Sequence, residues 1–294
     1  MKAIAESIRR VGLIANTEKS NCAAVTRRVI RLLKKSGRSV LFDPGTAAML
    51  GLDKAKPLEL RALAQATDLL LVIGGDGTML RVGREIAGET VPVLGINAGN
   101  LGFLTAISPE DLDASMKRVL AGRFTIEDRA LLEATIQCGK EVRTRTALND
   151  FVLSRGETSR LIEVEVTVND QLLTRYRCDG LIVSSPTGST AYSLAAGGAI
   201  VSPDAEVLIL TPICPHTLSI RPLVLNLNSI VRVKLLSRYL GASLTADGQD
   251  QLDIGTGDTI QIRRSPKPIR LLQMDGNSFF STLRQKFAWS GSNV

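Results

Sequence analysis

The segment DLLLVIGGDGTMLR, Asp68–Arg81, carries the residues that most clearly could do chemistry. Its aliphatic run predicts a buried strand, and helical spacing resumes near Thr78. Between them lie three glycines that let backbone approach a ligand closely: Gly74, Gly75 and Gly77. Ligands of open parallel sheets bind outside the carboxyl ends of strands, and free N–H groups at a helix start favour phosphate. The segment therefore predicts a phosphate-binding loop, although it matches neither GxxxxGK[ST] nor GxGxxG, which would require glycine at Leu80.

Asp76 is the acidic residue of this loop. A carboxylate repels phosphate unless a cation lies between them or the carboxylate has a proton to accept. Both situations occur in phosphoryl transfer, where a carboxylate can orient and deprotonate an attacking hydroxyl while a metal ion bridges the phosphates. The alternative is structural: Asp76 caps the following helix within a tight turn. The loop alone leaves both interpretations open.

A second segment, CDGLIVSSPTGSTAYSLAAGG (Cys178–Gly198), predicts a strand, a tight turn stiffened by Pro186, and a helix. Its turn offers hydroxyls and unpaired N–H groups at Thr187, Gly188, Ser189 and Thr190. A Ser/Thr helix cap explains some of them, but the hydroxyls outnumber what one cap needs. A third segment, ALNDFVLSR, is strand-like and is interrupted at Asn149 and Asp150, where a plain loop or bulge is the alternative.

The elements that position these segments change character along the chain. In the first part, aliphatic strands at 11–17, 39–43, 68–73 and 91–97 alternate with helical patterns, which predicts a parallel sheet covered on both faces. From Arg123 onward, runs such as IEVEVTV and DTIQIRR alternate apolar and polar residues with period two, which predicts layered antiparallel sheet. We assign 1–122 to an α/β domain, completed by a helix within 278–294, and 123–277 to a β-rich domain that includes PIRLLQM.

Composition excludes several classes of protein. The 294 residues carry a net charge of +7 with scattered basic residues and only 4% aromatics, which argues against nucleic-acid binding but suits anionic ligands such as nucleotides. The 4 cysteines are far apart and His216 is the single histidine, so structural zinc is not expected. Reduced cysteines, the lack of a signal-like apolar segment in MKAIAESIRR and the lack of an apolar run long enough to span a bilayer predict a cytoplasmic protein without membrane contact.

GGDGT at 74–78, Asn149-Asp150 and SPTGSTAY at 185–192 together resemble the NAD kinases, in order and over nearly the whole chain. GGDGT alone is weaker, because diacylglycerol and sphingosine kinases and phosphofructokinases carry similar loops. The resemblance implies a Rossmann-like α/β domain of the diacylglycerol-kinase and phosphofructokinase type, followed by an all-β sandwich. It also implies transfer of the ATP γ-phosphoryl group to the 2′-hydroxyl of the adenosine ribose of NAD, with Mg²⁺ or another divalent metal, in a homodimer or homotetramer.

The resemblance assigns Asp76 as the base and a phosphate loop of Gly74, Gly75, Gly77 and Thr78. It further implies NAD contacts at Asp76, Gly77, Arg81, Asn149, Asp150, Arg160, Arg177, Asp179, Thr190, Ala191, Tyr192, Ser193, Leu194, Ala195 and Gln249. The alternatives are exposed strand positions for Arg160 and Arg177 and a turn position for Gln249. Two residues depart from the family pattern: Ser185 replaces the usual Thr, and Asp150 replaces the usual Glu.

Two other functions stay open at this point. A lipid kinase could share GGDGT, although SPTGSTAY and the absence of an amphipathic membrane segment argue against it. A pyridine-nucleotide sensor on a kinase-like scaffold would bind NAD or NADP without turnover, but such a protein has no need of Asp76. The metal ligands cannot be named from the sequence.

Overall fold

The computed structural model describes residues 8–52, 56–99, 102–156, 160–237, 242–274, 276 and 278–289. They form two compact units. The first holds the described residues up to Asp128 and those from Ile269 onward, and the second is Arg129–Pro268.

The elements follow one another in three stretches. The chain begins with β1 (Arg10–Ala15), α1 (Cys22–Lys35), β2 (Ser39–Phe42), α2 (Pro44–Leu50), α3 (Leu60–Ala66), β3 (Leu69–Gly74), α4 (Asp76–Glu85), β4 (Val93–Asn97), α5 (Leu112–Leu120) and β5 (Thr125–Arg129). It continues with β6 (Leu132–Cys138), β7 (Glu141–Ala147), β8 (Asp150–Arg155), β9 (Ile162–Val168), β10 (Gln171–Cys178), β11 (Gly180–Ser184), a 3₁₀ turn (Thr187–Thr190), α6 (Tyr192–Ala195), β12 (Val207–Ile213), β13 (Leu223–Asn226), β14 (Val231–Leu235), β15 (Ala242–Ala246), β16 (Asp250–Ile254) and β17 (Thr259–Arg264). It ends with β18 (Ile269–Gln273) and α7 (Phe279–Phe287).

The first unit is built on a sheet whose described strands run in the order β2-β1-β3-β4-β18-β5. Pairing is parallel between β1 and β2, β1 and β3, β3 and β4, and β4 and β18. Every residue of β3 is buried, as expected for a central strand covered on both faces. The predicted parallel α/β domain is confirmed.

Helix α1 shows how the sequence specifies the layer over this sheet. Its buried residues Cys22, Thr26, Val29 and Leu33 recur at helical spacing on one face. Lys34 and Lys35 lie in the last turn, where cations complement the helix dipole. Gly37 follows with a φ of +73°, which glycine adopts without strain.

The second unit is a β-sandwich. Its described strands form one sheet in the order β10-β9-β14-β17-β6-β7 and another in the order β13-β12-β11-β8-β15-β16. Side chains of both sheets share a hydrophobic core, for example Ile136 and Val164 from the first sheet with Phe151 and Leu210 from the second. The predicted layered antiparallel architecture is confirmed, and the Asn169-Asp170 turn joins β9 to β10 as a hairpin with φ values of 49° and 65°.

The last strand lies elsewhere than the sequence predicted. PIRLLQM forms β18, which pairs with β4 in the parallel sheet of the first unit rather than with the antiparallel strands. The chain passes from one observed unit to the other after Asp128 and after Pro268, whereas the predicted boundaries were 122 and 277. Alternating strand patterns do not encode which sheet a strand joins, because pairing depends on distant residues.

Helix α7 belongs to the first unit. The ring of Phe103 lies 6.0 Å from that of Phe279 and 6.5 Å from that of Phe287, measured between centroids. No described helix is both long and apolar enough to cross a bilayer.

Candidate functional site

The glycine loop leaves β3 and enters α4 at the carboxyl edge of the parallel sheet. Helix α4 begins at Asp76, two residues before the predicted start at Thr78. Gly75 precedes it in an extended conformation, with φ of −143°. A Cβ atom on Gly74 would lie 2.5 Å from Oγ1 of Thr78, so glycine is required where the loop folds onto its own helix.

Asp76 is half-buried, and its carboxylate is directed at the backbone of a neighbouring loop. One oxygen accepts a hydrogen bond from the N–H of Phe103 at 2.8 Å and the other from the N–H of Leu104 at 3.1 Å. A Cβ atom on Gly102 would lie 1.9 Å from the Asp76 carboxylate. Asp76 therefore does not cap α4, since the helix has no side-chain cap and Gly75 holds the capping position.

The remaining residues of the loop differ in exposure. Gly77 is exposed, while Thr78 is buried beneath the turn and accepts a hydrogen bond from the side-chain amide of Asn16 at 3.3 Å. Arg81 lies one turn into α4 and pairs with Glu85 at 3.3 Å. Because this pair is surface-exposed and weak, the Arg81 guanidinium can exchange Glu85 for another anion.

In the second unit, three sequence segments meet at one end of a sheet. Strand β8 lies between β11 and β15 and runs antiparallel to both. Asp150 at the start of β8 is therefore opposite Ser184 at the end of β11, and Phe151 is opposite Ala246 at the end of β15. This arrangement brings Asn149-Asp150, SPTGSTAY and the turn after β15 together.

Asp247 organises this meeting point, although sequence reasoning did not identify it. Its carboxylate accepts hydrogen bonds from the N–H groups of Leu148, Asn149 and Asp150 at 3.1, 2.7 and 3.3 Å. Its own N–H donates to the carbonyl oxygen of Asp150 at 3.0 Å, and its φ is +52°. The signal was the Asp-Gly pair in ADGQDQ, which is typical of a hairpin turn.

Asp150 is almost fully buried next to this carboxylate. Burial, and secondarily the charge of Asp247, raise the pKa of the Asp150 carboxyl to about 7. Near neutral pH, Asp150 can thus be a hydrogen-bond donor or an acceptor, depending on its protonation.

Ser185 links the SPTGSTAY turn to the segment that contains Asn149 and Asp150. Its hydroxyl donates to the carbonyl oxygen of Leu148 at 2.6 Å and accepts from the N–H of Gly188 at 3.2 Å. A Cβ atom on Gly188 would lie 2.2 Å from the carbonyl oxygen of Asn149, so the turn needs glycine for this close approach. The hydroxyl at position 185 is used inside the fold, which explains why serine can serve there.

Comparisons with known proteins decide the family. A model of the ATP-NAD kinase N-terminal domain matches residues 11–124, and a model of the C-terminal domain matches 148–274. The NAD kinase of Moorella thermoacetica is 43% identical over 97% of this chain and 91% of its own length. The chain belongs to the NAD kinase family. It is a kinase, a phosphotransferase.

Three further relatives support the membership in this family. The NAD kinase of Symbiobacterium thermophilum is 40% identical over 95% of this chain and 99% of its own. Yeast NADH kinase complexed with NADH has a TM-score of 0.89 at 28% identity, covering 98% of this chain and 89% of its own. The Archaeoglobus fulgidus NAD kinase in complex with ATP has a TM-score of 0.75 at 26% identity, covering 94% and 98%.

The resemblance to the NAD kinases implies that residues 190–195 contact NAD. In the structure these residues differ in exposure. Tyr192 and Ala195 are exposed, and Thr190, Ala191 and Leu194 are partly exposed. Ser193 is fully buried, with its hydroxyl 2.9 Å from that of Thr211. The hydroxyl of Ser189 is also internal and accepts a hydrogen bond from Val201 N–H at 3.0 Å. The hydroxyls that exceeded one helix cap therefore serve the fold in large part.

The other predicted NAD contacts in this unit do not all lie at the end of the sheet where Asp150 and Ser184 are opposite each other. Gln249 is exposed in the turn that contains Asp247. Asp179 precedes β11, at the opposite end from Ser184, and pairs with Arg155 at 2.9 Å. Arg177 and Arg160 are exposed, Arg177 near the end of β10. Within one chain, Asp179 is thus separated from Asn149 by the length of β11.

Proposed function

We propose that this protein transfers the γ-phosphoryl group of ATP to the 2′-hydroxyl of the adenosine ribose of NAD, producing NADP and ADP. The observation that carries the proposal is the partly exposed carboxylate of Asp76 at the entry to α4, directly after a glycine loop. The Archaeoglobus fulgidus relative was solved with ATP and the yeast relative with NADH, which supports these substrate classes.

Asp76 acts as the general base in this proposal. The two backbone N–H groups fix the orientation of its carboxylate, while each oxygen keeps a further lone pair that can accept a proton. A ribose hydroxyl is a weak nucleophile at neutral pH, and a positioned base contributes about 10²–10⁴-fold to such a step.

NAD is held mainly by the second unit. Asn149 and Asp150 lie at the sheet end described above and supply hydrogen bonds to the adenine and ribose side. The surface of 190–195, apart from the buried Ser193 side chain, lines the pocket, and Gln249 borders it from the next turn. Gly77 and Arg81 of the glycine loop remain predicted NAD contacts.

The proposed reaction would use Mg²⁺ or another divalent metal, bound together with the donor. Among the described residues, no group of three or more His, Cys, Asp or Glu side chains could cage a metal ion. Mg²⁺ is commonly bound largely through substrate phosphates, so this chain fits a metal that would be held by the triphosphate of the donor. When bound, such an ion neutralises charge on the phosphoryl oxygens.

The remaining NAD contacts come from a second copy of the chain. Arg160, Arg177 and Asp179 are assigned to the NAD site, but Asp179 lies roughly 15 Å along β11 from Ser184. A homodimer or homotetramer formed through the sandwich supplies them across an interface.

We also predict that the protein is cytoplasmic.

The decisive experiment measures NADP formation from NAD, ATP and Mg²⁺ with an NADP-dependent dehydrogenase as the reporter. Asp76→Asn is expected to lower turnover by about 10²–10⁴-fold and to retain NAD binding. Asp113→Asn, a surface carboxylate of the same unit paired with Arg28, is the matched control. Near-normal turnover by Asp76→Asn would refute the assigned base, and NAD binding by wild type without turnover would indicate a sensor.

A further inference from the structure

Lys19 lies in the loop between β1 and α1, with its ammonium group against two glycines of other loops. A Cβ atom on Gly75 would lie 3.3 Å from Nζ of Lys19, and one on Gly99 would lie 3.4 Å from it. Gly75 belongs to the loop after β3, and Gly99 follows β4. The ammonium therefore lies where three loops at the carboxyl edge of the sheet converge, and the absence of side chains on both glycines leaves space around it.

The loop that carries Lys19 is held in place by hydrogen bonds. The side-chain oxygen of Asn16 accepts from the N–H groups of Glu18 and Lys19 at 2.9 and 3.1 Å. The side-chain amide of Asn16 donates to Thr78 in the glycine loop. Asn21 donates from its side chain to the carbonyl oxygen of Ala98 at 2.7 Å. The backbone at Lys19 is thus tied to the loops after β3 and β4.

The order of the strands explains why this position is suited to a ligand. In the strand order β2-β1-β3-β4, the chain after β1 continues toward β2 at one edge of the sheet. The chain after β3 continues in the opposite direction, toward β4. The two loops separate at this point and leave a crevice beyond the strand ends, where open α/β sheets bind ligands. Lys19 and Gly75 lie on the two sides of that division.

The charge of Lys19 is also available. Two arginines of the same unit are paired, Arg28 with Asp113 and Arg81 with Glu85. Within the described part of the chain, the Lys19 ammonium makes no comparable ion pair, and the residue is exposed. A lysine ammonium is a compact charge that binds phosphate oxygens in many nucleotide sites.

We propose that Lys19 binds the phosphate chain of the nucleotide donor, over the glycines of the GGDGT loop. This inference rests on the proposed function and adds a cationic residue for the donor, distinct from the residues assigned to NAD. Lys19 neutralises the phosphates as they lie against Gly75 and Gly99, and it contributes to donor binding more than to NAD binding.

The test uses Lys19→Met, which keeps the aliphatic length, Lys19→Arg, which keeps the charge, and Lys35→Met as the control at the far end of α1. We expect Lys19→Met to raise the KM for ATP by at least about 10-fold, as for loss of a charged hydrogen bond. The KM for NAD should change less than about 2-fold, and Lys19→Arg should recover most of the loss because it restores the charge. Lys35→Met should match wild type.

Calorimetric binding of inorganic tripolyphosphate separates the two proposals. Tripolyphosphate bound by wild type and not by Lys19→Met supports the site even if wild type makes no NADP, in which case only the proposed reaction fails. An active wild type together with a Lys19→Met variant of unchanged KM for ATP and unchanged tripolyphosphate affinity overturns the role of Lys19. Circular dichroism checks that each variant is folded. If Lys19→Arg and Lys19→Met are both folded and both lose tripolyphosphate binding, the result counts against a site that depends on the charge of Lys19.

Discussion

The N–H of Phe103 donates a 2.8 Å hydrogen bond to the carboxylate of Asp76. Residue 103 also anchors α7, since its ring packs with Phe279 and Phe287 and lies 5.2 Å from the ammonium of Lys286. One residue thus connects the orientation of the proposed base to the packing of the last helix.

Gly102→Ala should disturb the hydrogen bond between the Phe103 N–H and the Asp76 carboxylate. The new Cβ would overlap the Asp76 carboxylate, so either the loop or the carboxylate must move. We expect a loss of turnover of at least about 10-fold, because small displacements of a positioned base are costly. Turnover and melting temperature should be measured together.

Gly45→Ala is the matched control for this substitution. Its Cβ would meet Oδ2 of Asp43 at 3.3 Å, a contact that a small side-chain adjustment can relieve. Equal turnover in Gly102→Ala and wild type would show that the Asp76 carboxylate need not hold its observed position.

Asp150 predicts a pH dependence of stability. Below about pH 4 its carboxyl is protonated in the folded and unfolded chains alike. Between that pH and its folded pKa of about 7, the unfolded chain ionises while the folded protein keeps the proton. The free energy of unfolding should therefore fall as pH rises, by up to about 1.4 kcal/mol per pH unit from this group, and level off above 7.

Urea unfolding of wild type and Asp150→Asn at pH 5 and pH 8 tests this dependence. The variant lacks the titrating group, so its stability relative to wild type should be higher at pH 8 than at pH 5. Asp253→Asn, an exposed residue of β16, provides the control. If wild type and Asp150→Asn differ in free energy of unfolding by the same amount at both pH values, the result would contradict the raised pKa.

Ser185→Ala should lower the free energy of unfolding by about 1–3 kcal/mol. The substitution leaves the Leu148 carbonyl oxygen and the Gly188 N–H without the hydroxyl that bonds both in a buried site. Ser185→Thr keeps the hydroxyl and should be closer to wild type. Thermal denaturation compares the two, and an alanine variant as stable as wild type would show that these bonds are replaceable.

Shared sites predict complementation between inactive subunits. Asn149→Ala and Asp179→Ala alter residues at opposite ends of neighbouring strands, and each variant alone should lose most NAD turnover. If partner copies supply Asp179, hetero-oligomers of the two variants contain some sites with both native residues. Activity recovered after denaturing and refolding the mixture, but not the separate variants, supports a shared site, and no recovery in verified hetero-oligomers argues against it.

Much of this organisation follows from local sequence. The aliphatic run before Gly74, the helical spacing of Cys22–Leu33 and the alternation in β9 each report burial on a face, which depends on neighbours in the chain. Loop residues such as Gly75 and Pro186 likewise indicate turns. These patterns determined the two architectures and the three segments that resemble the family.

The tertiary structure decided what depends on distant residues. It placed β18 in the parallel sheet, directed the Asp76 carboxylate to the loop at 102–104, and brought Asp247 under Asn149 and Asp150. It also turned Ser193 inward and separated Asp179 from Asn149. Periodicity specifies which side of a strand is buried, but strand pairing and the partner of each polar group are set only when remote segments meet.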